Sequence, residues 1–138
     1  MDTDSLRPAD IGSIAAIALS VVGGLVALPA LPAEVTIHWA ADGSPNTGLP
    51  VLPGIFVIPA FAVLAFVSLR GGAFFHGRNA ELRPTTGLAV VAGVAYLQVA
   101  LITLNLGVAV SPVVAVAPAV AVIIVATYAE RFGAAGGA

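Results

Sequence analysis

The amino-acid sequence predicts an all-α integral membrane protein with four transmembrane helices, cytoplasmic N and C termini, and a short patterned extracellular loop between helices 1 and 2. The first observation is composition: the 138 residues are 59% hydrophobic and 9% charged, whereas a soluble domain carries about 25% charged residues. The second is the spacing of the charges, which leaves uncharged runs long enough to cross a bilayer. The third is the distribution of the arginines. We therefore interpret residues 1–138 as one four-helix membrane domain.

The first span is predicted at about residues 11–30, in the uncharged run between Asp10 and Glu34. About 20 apolar residues are enough to cross a bilayer. A cleaved signal peptide is the alternative, but the leader before Asp10 carries more acidic than basic residues, which is atypical of such a segment.

The second span is predicted at about residues 49–69, ending before Arg70. Pro50 and Pro53 fall in its first turns, where a missing N–H is tolerated. Pro59 lies inside it, so we expect the carbonyl of Ile55 to be freed and the helix to bend.

The last uncharged run, residues 84–129, is long enough for two helices. Gly107, Ser111 and Pro112 interrupt its apolar pattern. This predicts span three at about 86–106 and span four at about 113–128, the latter kinked at Pro118.

Arginine predicts the orientation, because cytoplasmic loops are enriched in positive charge. The loop 31–48 contains none of the five positive charges, and all of them fall on the other side of a four-span arrangement. Both termini are therefore predicted to be cytoplasmic. The Ala/Val/Gly/Arg bias indicates a prokaryotic gene, and the protein is expected to be a multi-pass protein of the plasma membrane.

Small residues recur every four positions in span one, at Gly12, Ala16, Ser20 and Gly24. Such a stripe lets two helix backbones approach closely in lipid. It predicts packing against another span of the chain, with a homodimer as the alternative. Gln98 lies near the bilayer centre in span three, and its buried amide is expected to hydrogen-bond to another helix.

The loop 31–48 is the only long polar segment. Polar and apolar residues alternate over residues 34–39, which predicts a strand with Val35, Ile37 and Trp39 on its apolar face. Asp42-Gly43 and the segment 44–48 predict tight turns.

Three functional chemistries are disfavoured. A metal site from Glu34, His38 and Asp42 would have a single imidazole and no cysteine, so no metal or other cofactor is expected. A Ser44–His38–Asp42 triad would lack a rigid scaffold and an oxyanion hole, so we expect no enzyme activity. The net charge of −2 does not favour nucleic-acid binding, which needs a clustered basic face.

The residues Leu31-Pro32, Val35, His38-Trp39, Gly43 and Pro45-Asn46 form the pattern L-P-x-x-V-x-x-H-W-x-x-x-G-x-P-N directly after a predicted span. This pattern resembles the domain-of-unknown-function family 1648, which begins the SdpI-type bacteriocin-immunity and signalling proteins. With the flanking spans, the resemblance covers about the first half of the chain. The chain departs from the family pattern at Asn46, where an acid is common, and it has room for fewer spans than the longer SdpI-like proteins.

The resemblance implies a binding or sensing module that acts through the loop 31–48. The candidate residues, with either a binding or a structural role in the loop, are Pro32, His38, Trp39, Gly43, Pro45 and Asn46. For His38 the structural alternative is a hydrogen bond to the loop backbone that fixes the turn. The expected partners are the lipid bilayer and a protein or secreted peptide, and a homo-oligomer is possible. The alternative is a structural or accessory subunit of a larger membrane complex.

A cytoplasmic contact through Phe74, Phe75, Arg78 and Arg83 is a further possibility. We favour the simpler interpretation of these residues as interface anchors in a positively charged loop.

Overall fold

The computed structural model describes residues 6–71 and 83–136. The chain is mostly helical and forms α1 (Pro8–Ala27), a 3₁₀ turn (Leu28–Ala30), β1 (Glu34–Trp39), β2 (Pro45–Pro50), α2 (Val51–Gly54), α3 (Val57–Gly71), α4 (Pro84–Asn105) and α5 (Pro112–Gly136).

Four helical segments of the described residues are long and apolar enough to cross a membrane. They are Pro8–Ala30, Val51–Leu69, Pro84–Asn105 and Pro112–Gly133. The chain therefore has the architecture of a multi-pass membrane protein. The suggested contact through Phe74, Phe75 and Arg78 lies outside the described residues.

Helix α4 is the centre of the bundle. It packs against α1, α3 and α5, and α1 also contacts α3. In the most apolar 18-residue stretch of α4, 33% of the residues are buried, whereas in that of α5 only 11% are buried. Helix α5 therefore leaves most of its apolar surface to the surroundings, as expected where lipid replaces water.

The second span is divided into two helices. Helix α2 ends at Gly54, α3 begins at Val57, and Pro59 is the third residue of α3. Because Pro59 has no N–H, it cannot donate to the carbonyl of Ile55. The bend that Pro59 predicts is therefore a break between two helices, one turn before the proline.

The loop 31–48 contains more regular structure than the sequence predicts. Residues 34–39 form the expected strand, but Pro45–Pro50 forms a second strand where a turn and the start of a helix were expected. Both prolines lie at the ends of β2, where a missing donor is tolerated. Pairing with β1 satisfies the backbone of this segment, so tertiary context overrides its turn propensity.

Helix α4 ends in a left-handed cap. Gly107 has φ +80°, and its N–H donates to the carbonyl of Leu104 at 3.3 Å. Glycine adopts this conformation without a Cβ penalty. The interruption predicted between Gly107 and Pro112 therefore separates α4 from α5.

A polar cluster joins α4 and α5 at the end of the bundle opposite the strands. The Glu130 carboxylate accepts hydrogen bonds from the Arg83 backbone N–H at 2.8 Å and from Thr86 Oγ1 at 2.6 Å. These contacts fix the last turns of α5 to the first turn of α4.

Candidate functional site: a hairpin above an apolar cavity

The two strands form an antiparallel hairpin, which we call the motif hairpin (residues 34–50). Glu34 pairs with Pro50 at one end and Trp39 with Pro45 at the other, and the register is irregular near His38. Bulges of this kind re-aim side chains and are frequent beside functional sites. The irregularity falls on the histidine of the sequence motif.

The turn of the hairpin is closed by Asp42, Gly43 and Ser44. The Asp42 carboxylate accepts from the Ser44 hydroxyl at 2.6 Å and from the Ser44 backbone N–H at 2.9 Å. The Ser44 hydroxyl first, and then the backbone N–H, hold the pKa of Asp42 below its usual value. Gly43 has φ +87°, so this turn requires glycine or strain.

Alternation along β1 places apolar and polar side chains on opposite faces. Val35 is fully buried and belongs to a small core with Leu31 and Ile55, whereas Glu34 and His38 are exposed and Trp39 is half-buried. Gly54 of α2 lies directly against the Val35 side chain, where a Cβ would clash. The hairpin is therefore seated on the helix ends by its apolar face.

Asn105, the last residue of α4, attaches β1 to the helical bundle. Its Oδ1 accepts from the Thr36 N–H at 2.7 Å, and its Nδ2 donates to the Thr36 carbonyl at 2.9 Å. The amide thus pairs with both backbone groups of one residue, as a neighbouring strand would. Because Asn105 is part of a helix, this pair sets the position of the hairpin relative to α4.

Gln98 lies seven residues before Asn105, on the same face of α4. Its Nε2 donates to the Ile55 carbonyl at 2.7 Å and to the Ser20 carbonyl at 3.1 Å. The first of these is the carbonyl that Pro59 leaves without its helical donor. Two carbonyl acceptors require the NH₂ group, which fixes the orientation of the amide. Gln98 Oε1 is buried without a hydrogen-bond partner among the described residues.

His38 is held by a contact within the hairpin. Its Nδ1 lies 3.1 Å from Asn46 Nδ2. In this orientation of the Asn46 amide, its nitrogen donates to Nδ1, which corresponds to the His38 tautomer with a proton on Nε2. Asn46, one of the predicted motif residues, therefore orients the histidine.

An apolar cavity of about 360 Å³ lies under the turn end of the hairpin. Its roof is formed by His38, Trp39 and the two residues that follow. Its walls come from α3, α4 and α5, and they include Ile58, Leu97, Leu101, Leu104, Val113 and Val116. Cavities of this size with few polar groups at the rim are the usual form of a small-molecule site.

The other predicted motif residues surround this site without lining the cavity. Pro45 pairs with Trp39 and Gly43 forms the turn beside the start of α5. Pro32 is exposed and precedes β1. The structure thus brings His38, Trp39, Gly43, Pro45 and Asn46 to the turn end and leaves Pro32 at the other end.

The predicted small-residue stripe of α1 faces different neighbours along its length. A Cβ at Gly12 would touch Leu88 of α4, and one at Gly24 would lie 2.6 Å from Gln98 Nε2. Ser20 is buried and presents its carbonyl to Gln98. Ala16 lines a shallow groove between α1 and α4.

The described residues do not bring together the side chains of the metal site or of the Ser44–His38–Asp42 triad that the sequence analysis considered. In the described part of the chain, no group of three or more His, Cys, Asp or Glu residues is placed to hold a metal ion. The Ser44 hydroxyl donates to Asp42, whereas His38 contacts Asn46. The hairpin therefore does not place a serine hydroxyl on the histidine.

Sequence analysis missed the roles of Asn105 and of the cavity walls. Asn105 is one of the few polar side chains of the third span, and its spacing of seven from Gln98 could have indicated a shared polar face. The cavity walls are ordinary apolar residues of α4 and α5, so no sequence signal distinguishes them.

Residues 15–63 match the family model described as Domain of unknown function (DUF1648). This segment contains most of α1, the motif hairpin, α2 and the start of α3. No curated protein and no solved structure matches the chain. The two α4 amides, Gln98 and Asn105, lie outside the matched segment but hydrogen-bond to backbone groups within it.

Proposed function

We propose that the domain acts as a binding module whose recognition surface is the motif hairpin, which lies in the segment 15–63 that matches the DUF1648 family model. The observation that supports this most strongly is the placement of His38 and Trp39 above an apolar cavity of about 360 Å³. A loop that served only to connect two spans would not need side chains of this kind over an open cavity.

The hairpin is built as a rigid platform. Asn105 fixes its backbone, Asp42 and Ser44 close its turn, and Val35 anchors it in the core. A pre-ordered surface loses less conformational entropy on binding. The exposed His38 ring is oriented by Asn46, so its Nε2–H is presented in a fixed direction.

The absence of arginine from the loop 31–48 supports an extracellular position for the hairpin. The ligand would then approach from outside the plasma membrane or from the outer half of the bilayer. In a protein similar to the SdpI type, a secreted peptide partner would meet this surface.

The test is capture from native membranes in mild detergent, followed by mass spectrometry, with wild type beside His38→Ala. Glu34→Gln is the matched control, since Glu34 is exposed on the same strand at the far end of the hairpin. We expect a partner to be lost with His38→Ala and retained with Glu34→Gln, at equal melting temperatures. A partner retained by both variants would contradict the proposal.

A structural or accessory role is the second candidate. It is favoured by α5, because only 11% of the residues in its most apolar 18-residue stretch are buried. This leaves a long exposed face of α5 for another membrane protein. In that case the captured partner would be insensitive to His38→Ala and sensitive to bulky or polar substitutions on the exposed face of α5, such as Val125→Asn.

A further inference from the structure

A second cavity borders the one under the hairpin along α4, and we call the two together the groove. This second cavity of about 430 Å³ lies between α3 and α4, and it shares the walls Ile58 and Leu97 with the first. The α4 residues that line the two cavities extend from Val94 to Leu104. Ten residues of helix correspond to about 15 Å, so the lining of the groove extends over about 15 Å along α4.

The walls of this groove are almost entirely apolar, and polar groups concentrate at one end. Phe61 and Leu64 line the far part, and Ser68 is its main polar side chain. His38 and Trp39 line the hairpin end. An occupant that matches this distribution has a long apolar body and one polar end.

Two hydrogen-bond donors at the polar end of the groove have no acceptor among the described residues. The Trp39 indole N–H and the His38 Nε2–H make no hydrogen bond to any part of the chain that the structure describes, whereas His38 Nδ1 is occupied by Asn46. Trp39 is half-buried, so its unpaired N–H favours a ligand that supplies an oxygen acceptor. His38 is exposed and presents its donor at the edge of the same site.

The charges around the groove disfavour an anionic ligand. The loop 31–48 contains Glu34 and Asp42 and no lysine or arginine. Glu34 lies at the far end of the hairpin, but Asp42 lies at the turn end, next to Ala41 of the cavity lining. An anionic headgroup there would meet the Asp42 carboxylate without a cationic partner in the loop 31–48, which is unfavourable. The acceptor is therefore best supplied by an uncharged group, such as an ester carbonyl.

We propose that the groove holds one acyl chain of a bilayer lipid without net charge, with its ester carbonyl accepting a hydrogen bond from Trp39 or His38. This inference goes beyond the proposed function, because it names a lipid ligand for the cavity beneath the same hairpin. The lipid is the surrounding solvent of a membrane protein, so an apolar groove beside α3 and α5 is filled from the bilayer. The bound chain then lies beneath the turn end of the hairpin.

Trp39 provides an intrinsic reporter, since it is the chain's only tryptophan. The experiment reconstitutes the full chain in nanodiscs that contain phosphatidylcholine with brominated acyl chains, which quench tryptophan fluorescence on contact. Nanodiscs with brominated phosphatidylglycerol supply the anionic comparison. The Val116→Phe substitution puts a larger side chain into the cavity, because Val116 is one of its lining residues. Val122→Phe is the control, because Val122 is 46% exposed and does not line the groove.

We expect at least twofold weaker quenching of Trp39 in Val116→Phe than in wild type, and wild-type quenching in Val122→Phe. We expect phosphatidylcholine to quench more strongly than phosphatidylglycerol at equal bromine content. Equal quenching in wild type and Val116→Phe, or preference for the anionic lipid, would overturn the proposal. Absence of quenching in wild type would also overturn it and would leave the cavity to a peptide side chain.

The outcome separates this inference from the proposed function. If quenching does not depend on Val116 while partner capture still depends on His38, the hairpin recognises its partner and the lipid proposal alone fails. If partner capture is independent of His38 while quenching depends on Val116, the lipid site stands and the recognition role fails.

Discussion

At the scale of single residues, two α4 amides connect the family segment to the rest of the bundle. Gln98 donates to two carbonyls of the segment and Asn105 pairs with the backbone of Thr36. Water does not reach a carbonyl that is buried in a membrane bundle. The loss of a hydrogen bond to such a carbonyl can therefore leave it unsatisfied. These amides therefore make testable contributions to stability.

Replacing Gln98 by leucine should destabilise the bundle, because the Ile55 carbonyl would lose its donor and the Ser20 carbonyl its second hydrogen bond. The expected cost is about 1–3 kcal/mol, measured as the shift in unfolding midpoint in mixed detergent micelles. Thr103→Val is the control on the same helix and should cost less, since no hydrogen bond from the Thr103 side chain to a described residue is formed. Equal effects of the two substitutions would contradict the role given to Gln98.

Two adjacent glycines of α1 provide a matched pair. A Cβ at Gly24 would lie 2.6 Å from Gln98 Nε2 and 3.2 Å from Ile55 Cβ, whereas a Cβ at Gly23 would meet nothing within 4 Å. Gly24→Ala should therefore destabilise by about 1–3 kcal/mol through overpacking, while Gly23→Ala should be neutral or stabilising. Similar melting temperatures for the two variants would show that α1 does not pack on α4 in this register.

At the scale of elements, the motif hairpin is held at its middle by Asn105 and closed at its tip by Asp42. An isolated two-stranded hairpin is marginal in water, so both attachments are needed for a fixed platform. The hairpin also determines the roof of the cavity, because Trp39 and His38 belong to β1.

Asn105→Ala should release β1 from α4 without unfolding the helices. The Thr36 amide loses its 2.7 Å acceptor, and we expect its hydrogen–deuterium exchange to accelerate by about tenfold or more, corresponding to about 1.4 kcal/mol. Val91 amide exchange in the middle of α4 is the internal reference. Unchanged exchange at Thr36 would mean that the hairpin is held by its apolar face alone.

The turn at Asp42 should depend on pH in one direction. Its pKa is lowered in the folded hairpin, so the carboxylate contributes stability that is complete above its unfolded value of 3.8 and is lost as pH falls through the lower folded value. We expect the Ser44 amide to be protected at pH 5–7 and to exchange faster, after correction for intrinsic rates, below pH 3.8. Asp42→Asn should remove this dependence, and persistence of the dependence in that variant would assign it to another group.

At the scale of the whole molecule, α4 is the axis on which the other helices assemble, and the hairpin covers one end of it. This arrangement leaves the surfaces of α1 and α5 to lipid or to a partner. The distribution of arginine predicts that the hairpin end is extracellular.

A chain without cysteine allows this topology to be measured directly. Ala41→Cys lies in the exposed turn of the hairpin and Arg131→Cys lies near the end of α5. A membrane-impermeant maleimide should label position 41 in intact cells or spheroplasts and position 131 only after lysis. The reverse pattern would invert the orientation and would place the hairpin in the cytoplasm.

The predictability of this fold follows from which interactions are local. Uncharged runs and Pro59 are local signals, so the sequence indicates the apolar segments and the unsatisfied carbonyl of Ile55. The contact of Asn105 with Thr36 joins positions that are 69 residues apart, and no local pattern encodes it. The pairing of β2 with β1 is short in range, but the turn-forming residues of β2 conceal the second strand. The cavity is harder still to predict from the sequence, because it depends on how α3 and α5 are spaced around α4.

The most direct test of the recognition role is photo-cross-linking from the hairpin itself in intact cells. A photo-reactive residue at position 41, beside the cavity and exposed, should form an adduct with a partner that disappears when His38 is replaced by alanine. A probe at position 125 of α5, where Val125 is 66% exposed, should form no His38-dependent adduct. An adduct from position 41 that persists in His38→Ala, or no adduct from this position at all, would contradict the claim that the motif hairpin is a binding surface.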